Sequence, residues 1–149
     1  MDARKVAVMA VALLGFATTS VADEIGIVKV VSGTVHIERQ GQRVPAAVGA
    51  RVDRADRIVT GKDGSIGLSF ADSSIVSAGP NSVVDLDQFR YDPTSREGNF
   101  DISLKRGTLS AISGKLVEQK PGAMQVRTPT AVLAVRGTEF AVHVDPPAE

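Results

Sequence analysis

Residues 23–149 read as a single all-β domain, and three observations in the sequence lead there. Apolar residues recur with period two from Ile25 onward, clusters of Gly, Pro, Asn and Asp separate the runs, and no helical stripe of any length interrupts them. Each alternating run sends successive side chains to opposite faces, so one face can meet a core while the other meets water.

The chain opens differently. Arg4 and Lys5 precede an uncharged run, 6–16, that ends in the small residues 17–22, and that order is the pattern of a secretory signal peptide. Ser20-Val21-Ala22 fits a small-x-small cleavage site and Asp23-Glu24 follow at once, so the leader, residues 1–22, is expected to be cut after Ala22. The same run also reads as a membrane anchor. A spanning helix needs about 20 mostly apolar residues, whereas Thr18, Thr19 and Ser20 shorten this run to leader length. The mature chain is therefore expected to have no stable membrane span and to be periplasmic, with secretion as the alternative.

Strands are expected at 27–31, 34–38, 66–70, 83–86, 102–104, 109–112, 124–127, 131–135 and 139–144, where the alternation is clearest. Gln40-Gly41, Gly61-Lys62-Asp63-Gly64, Gly79-Pro80-Asn81 and Lys120-Pro121-Gly122 are the turn signals between them. In the second of these, a hairpin connection is expected, with Asp63-Gly64 at positive φ. Residues 92–99, with Pro93, Thr94, Ser95 and Gly98, look like an exposed loop. Gly33-Thr34, Gly107-Thr108 and Gly137-Thr138 each put Gly at a corner and a β-branched Thr at a strand entrance. On that reading Gly137 has positive φ and valine there would be destabilising.

Composition narrows the function. The sequence has no cysteine, which removes disulfides, thiolate metal sites, cysteine nucleophiles and a lipid-modified cysteine behind the leader. Residues 23–149 suffice for one domain with a real core, which must be aliphatic because only 4% of the chain is aromatic. Taking Arg4, Lys5 and Asp2 from 17 basic and 17 acidic residues leaves the mature chain within one charge of neutral. Neither nucleic-acid binding nor a polybasic membrane contact has its usual footprint.

Catalytic constellations are weak. Ser65 lacks the Gly-x-Ser-x-Gly elbow and reads as a turn residue. His36 and His143 each sit between apolar neighbours on a polar strand face, too few for a zinc site. Asp85 and Asp87 share a strand face and could do paired-carboxylate chemistry or bind Ca²⁺, but the chain lacks Trp and has one Tyr, Tyr91, for stacking a sugar. The segment 61–64 lacks the spacing of a phosphate-binding loop. No catalytic residue, cofactor or metal is expected.

One ordered series stands apart from these single signals. It begins with Asp56-Arg57-Ile58-Val59-Thr60-Gly61-Lys62-Asp63-Gly64-Ser65 and continues with Leu68-Ser69-Phe70-Ala71-Asp72-Ser73-Ser74-Ile75 and Gly79-Pro80-Asn81-Ser82. It ends with Val126-Arg127-Thr128-Pro129-Thr130-Ala131 leading into Val135-Arg136-Gly137-Thr138-Glu139-Phe140. Over about residues 27–144 the series resembles the FecR domain family of bacterial envelope proteins. The resemblance implies a periplasmic β-rich domain, β-solenoid-like in its better-known members, that takes part in signalling from an outer-membrane receptor to a sigma factor. Signalling members carry a cytoplasmic anti-sigma segment and a transmembrane helix ahead of the domain, and a receptor-contacting domain after it. Here only Met1 to Lys5 precede the apolar run and residues 145–149 follow Val144, so this chain is not expected to hold a sigma factor itself.

The motif positions Gly61, Asp63, Gly64, Asn81, Thr128, Pro129, Arg136, Gly137, Thr138 and Phe140 are expected to serve the fold. Arg136, charged at any pH, can tie a corner to a nearby carboxylate or accept one from a partner. The fold expected is a solenoid-like or sandwich stacking of short strands. The function expected is a non-catalytic binding or signalling module for an envelope protein or glycan, through strand edges or the 92–99 loop. The alternatives are a structural, self-associating envelope component and a detached part of a sigma-factor pathway.

Overall fold

A computed structural model describes residues 24–146, so the expected leader and its cleavage point lie outside the described residues. Twelve strands form one curled sheet. In chain order they are β1 (Glu24–Ser32), β2 (Val35–Arg39), β3 (Gln42–Pro45), β4 (Arg51–Asp53), β5 (Arg57–Thr60), β6 (Ser65–Phe70), β7 (Ile75–Ala78), β8 (Val83–Tyr91), β9 (Gly98–Ile112), β10 (Met124–Arg127), β11 (Val132–Ala134) and β12 (Glu139–Val144). A five-residue helix, α1 (Lys115–Gln119), joins β9 to β10. No helix among the described residues is long and apolar enough to cross a membrane.

The sheet folds into two layers because β9 belongs to both. Its first half pairs with β8 and β10, its second half with β7 and β12, and Gly107, at φ +93°, makes the bend between them. One layer runs β4-β1-β6-β7-β9-β12 and the other β3-β2-β5-β8-β9-β10-β11. Every pairing is antiparallel except β9 with β10. The arrangement is thus sandwich-like, and what it shares with a solenoid is its stacked corners, described below.

Alternation places the core as expected. In β6, Ile66, Leu68 and Phe70 are buried while Ser65, Gly67 and Ser69 lie on the outer face. Phe70 reaches from one layer to meet Phe100 at 4.6 Å and Phe89 at 5.8 Å in the other, all between ring centroids. Around this trio the core is aliphatic, with Val28, Ile37, Ile58, Leu86, Ile102, Leu104 and Leu109 fully buried.

The structure corrects several expectations. The runs at 102–104 and 109–112 are one strand, so Gly107-Thr108 lies inside β9 rather than at a strand entrance. The exposed loop is shorter than 92–99, because Gly98 and Asn99 already belong to β9. Residues 61–64 do not close a hairpin: β5 pairs with β2 and β8, β6 with β1 and β7, and neither Asp63 nor Gly64 has positive φ. Strands β3, β4, β5 and β7 had no clear alternation to announce them, being only three or four residues long. Gln40 and Gly41, at φ 50° and 77°, do make the tight β2–β3 turn that their sequence suggests.

The β8–β9 loop is held by Asp92, whose carboxylate accepts from the Thr94 N–H at 2.8 Å and the Ser95 N–H at 3.4 Å. Those bonds lower its pKa below the ordinary 3.8. A depressed carboxylate favours the closed loop above its unfolded pKa, and that contribution is lost as pH falls through the folded value. The amide resonances of Thr94 and Ser95 are therefore expected to titrate together at a pH under 3.8.

Candidate interaction site

The two layers run in step, β1-β6-β7-β9 beside β2-β5-β8-β9, so the places where the chain crosses between them stack into a ladder. Its rungs are Gly33-Thr34, residues 61–64, residues 79–82 and Gly107-Thr108. The Gly61 N–H donates to Thr34 O at 2.8 Å, the Thr34 N–H to Asp63 Oδ1 at 3.2 Å, and the Asn81 N–H to Gly61 O at 3.0 Å. Thr60 Oγ1 accepts from the Ser82 N–H at 2.8 Å and donates to Gly79 O at 2.6 Å. Ser82 Oγ accepts from the Thr108 N–H at 3.0 Å, which ties the third rung to the fourth. Each crossing takes backbone groups out of sheet pairing, and the neighbouring rung satisfies them.

Gly61, Asp63, Gly64 and Asn81 thus meet in one place. Asn81 supplies positive φ (55°), while Gly64 is needed because a Cβ there would collide with Thr34 O. The signal in the sequence was a turn; its partners came from distant turns.

The ladder's two ends differ. At the end marked by β2 and β1, residues 46–50 cross between layers, with the Ala46 N–H donating to Val35 O and the Gly49 N–H to Val28 O, and Ala46 and Ala50 packed on the core. At the other end β12 and β10 occupy the two layers, but β12 is reached by way of β11 and no strand crosses directly between them at the level of the rungs. In that place lies a cleft of about 580 Å³ walled by Lys105, Pro129, Leu133, Val142 and Val144 among others.

Of the remaining motif residues, Thr128 and Pro129 line this cleft, while Arg136, Gly137 and Thr138 lie toward the far end of β12, beside Ser113. Thr128 closes the β10–β11 turn around Pro129: its N–H donates to Ala131 O at 2.8 Å, and the Ala131 N–H donates to Thr128 Oγ1 at 3.0 Å. Ser113 fixes the following segment, its N–H donating to Thr138 O at 2.7 Å and its Oγ to Gly137 O at 2.6 Å. Phe140, Val142 and Val144 turn toward the core but stay half-buried, and Val132 and Leu133 of β11 are 58% and 40% exposed. Arg136 is exposed and has no carboxylate partner among the described residues, so the expected tie to a nearby Asp or Glu is not made.

Gly137 is a second correction here: its φ is not positive and a Cβ added to it would meet nothing within 4 Å. Gly137→Val is accordingly expected to leave stability within about 0.5 kcal/mol of the parent by urea unfolding.

The chemistry-bearing pairs sit elsewhere. Asp85 is held by Arg57 through two hydrogen bonds of 2.6 and 3.0 Å, which raise the guanidinium pKa, and Asp87 accepts from Ser103 Oγ. Both line an open groove with Glu38 and Arg43. His36 lies 3.4 Å from Glu38 in one layer, while His143 is on β12 in the other, so the histidines do not meet. His143 does stand between Thr108 Oγ1 (2.8 Å) and Asp145 Oδ1 (3.1 Å). That order mimics a hydroxyl–imidazole–carboxylate relay, but the Asp145 side chain is 91% exposed and His143 59%, and a triad needs its carboxylate buried to hold the ring.

Residues 56–148 match the family described as FecR protein. The chain belongs to that family. No curated protein matches it, and no solved structure does. The FecR match starts at Asp56, a buried carboxylate that accepts from Arg39 at 2.6 and 2.9 Å and from the Asp53 N–H at 2.8 Å. It takes in the last three rungs of the ladder and the open end, but not Gly33-Thr34. FecR membership carries a signalling-related role for the family.

Proposed function

We propose that the chain is a non-catalytic module of the cell envelope, exported to the periplasm, that binds a protein partner and so takes part in signalling. One observation carries this: the layered ladder is closed by residues 46–50 at one end and left at the other as an apolar cleft lined by Thr128 and Pro129 of the ordered series. Half-buried Val142 and Val144 and exposed Leu133 offer an extended segment apolar contacts, and exposed Lys105 offers it a charge. Docking of extended chains beside strand edges draws on both.

A protein segment suits this site better than a glycan. Sugar binding leans on flat exposed aromatics, whereas Phe70, Phe89 and Phe100 are buried and Tyr91 and Phe140 are half-buried.

The test is a crosslinking pull-down of the tagged protein from the periplasm of intact cells, run beside Leu133→Asp and Lys105→Glu variants. An outer-membrane receptor or membrane-spanning regulator recovered by the parent and lost with both variants supports the reading. Recovery of wall material alone, or equal recovery by all three proteins, overturns it.

A further inference from the structure

Among the described residues four strand edges are open, and they are not alike. β4 and β11 are three residues long, and β3 is four and ends in Pro45. Short edges and proline are the usual protections against pairing with another chain. β12 has six residues, without proline, lysine or a bulge in its pairing with β9.

The ladder between β12 and β9 fixes what that edge presents. The Ser113 N–H donates to Thr138 O, so by antiparallel alternation Phe140, Val142 and Val144 direct their backbone groups to β9. Glu139, Ala141 and His143 direct theirs outward. On the outer face, Val30, Gly67, Ser77, Ser110 and Ala141 line up in register across the layer, so the row reaches the edge at a small side chain.

We infer that two copies of this chain pair through β12, antiparallel, about a two-fold axis at Ala141. In that register Ala141 faces Ala141 and each Glu139 faces His143 of the second copy. Phe140 lies opposite Val142 on the inner side. An acid opposite an imidazole and an aromatic opposite a β-branched residue are favourable cross-strand pairs. Every other axis that keeps these edge hydrogen bonds loses the acid–imidazole pairs: at Phe140 Glu139 falls opposite Ala141, at Val142 Glu139 falls opposite Asp145, at Glu139 two carboxylates face each other and at His143 two imidazoles do. The self-complementary order Glu-Phe-Ala-Val-His therefore favours the axis at Ala141. The two readings share β12, since Val142 and Val144 also wall the cleft, but each can fail alone: the dimer is read in the mass of the purified chain, the partner in what is recovered from cells.

Sedimentation equilibrium of the exported chain over a range of concentrations tests it. The expected result is a monomer–dimer equilibrium that reaches twice the chain mass. Ala141→Pro should abolish it; the Ala141 N–H faces outward, so the substitution removes no ladder bond within the chain, and a thermal melt checks its fold. Glu139→Lys and His143→Glu, both at exposed positions, should each weaken the dimer by about tenfold or more, and E139K/H143E should restore it. A monomer at the highest concentration, or a dimer indifferent to Ala141→Pro and to the charge swaps, overturns the inference.

Discussion

Gly107→Val is expected to destabilise the domain by about 4 kcal/mol, combining the strain of a β-branched residue at positive φ with overpacking. At φ +93° the backbone of Gly107 turns β9 from one layer into the other, and a Cβ there would stand 2.5 Å from the Cα of Ser82. Ser82 cannot retreat, because its N–H donates to Thr60 Oγ1 and its Oγ accepts from the Thr108 N–H. Valine would have to open the ladder between its third and fourth rungs. A loss of that magnitude is at least about a quarter of the roughly 5–15 kcal/mol that holds a domain folded, so urea unfolding should find the variant's midpoint far below that of the parent. A midpoint like that of Gly137→Val would contradict the role given to the bend.

Asp72→Ala is expected to cost about 3 kcal/mol, since it strands buried donors that have no water to turn to. Asp72 is fully buried; its carboxylate accepts from the Ser74 N–H at 3.0 Å, Ser74 Oγ at 2.7 Å and, more weakly, the Leu116 N–H at 3.4 Å. Ser74 Oγ in turn accepts from the Gly114 N–H at 3.0 Å. A helix of five residues has no stability of its own, so α1 stays in place through this network and through buried Leu116 and Val117. Besides the lower urea midpoint, hydrogen exchange should show the amides of residues 114–120 losing protection while those of β6 and β9 keep theirs. Uniform loss across the domain would mean that Asp72 supports the core as a whole rather than α1.

What could be read from the sequence follows the reach of each signal. Alternation located β1, β2, β6, β10, β11 and β12 and parts of β8 and β9, because burial of one face needs nothing beyond the strand itself. At three or four residues the pattern is at its limit, and β3, β4, β5 and β7 surfaced only with the structure. Glycines were harder. Gly33 and Gly107 are bends at positive φ, Gly64 is a close approach with ordinary φ, and Gly137 is neither, although three of the four precede Thr and Gly64 sits in a turn motif. A glycine's reason depends on which distant backbone passes beside it, and sequence spacing does not say. The ladder was invisible for the same cause: Thr34, Asp63, Asn81, Ser82 and Thr108 are local turn residues until the two layers run in step. Of the open end only the turn at Thr128-Pro129 was legible; that Leu133, Val142 and Val144 form a cleft there required the fold.

Position-specific photocrosslinking in intact cells addresses the open end most directly. A photoreactive residue is placed at Leu133, in the wall of the cleft, and separately at Gln42, on the β3 edge beside the closed end. A discrete adduct with a membrane or outer-membrane protein at Leu133 and none at Gln42 is the expected result. Absence of any adduct at Leu133, or the same adducts at both positions, would contradict a partner-binding role for the cleft.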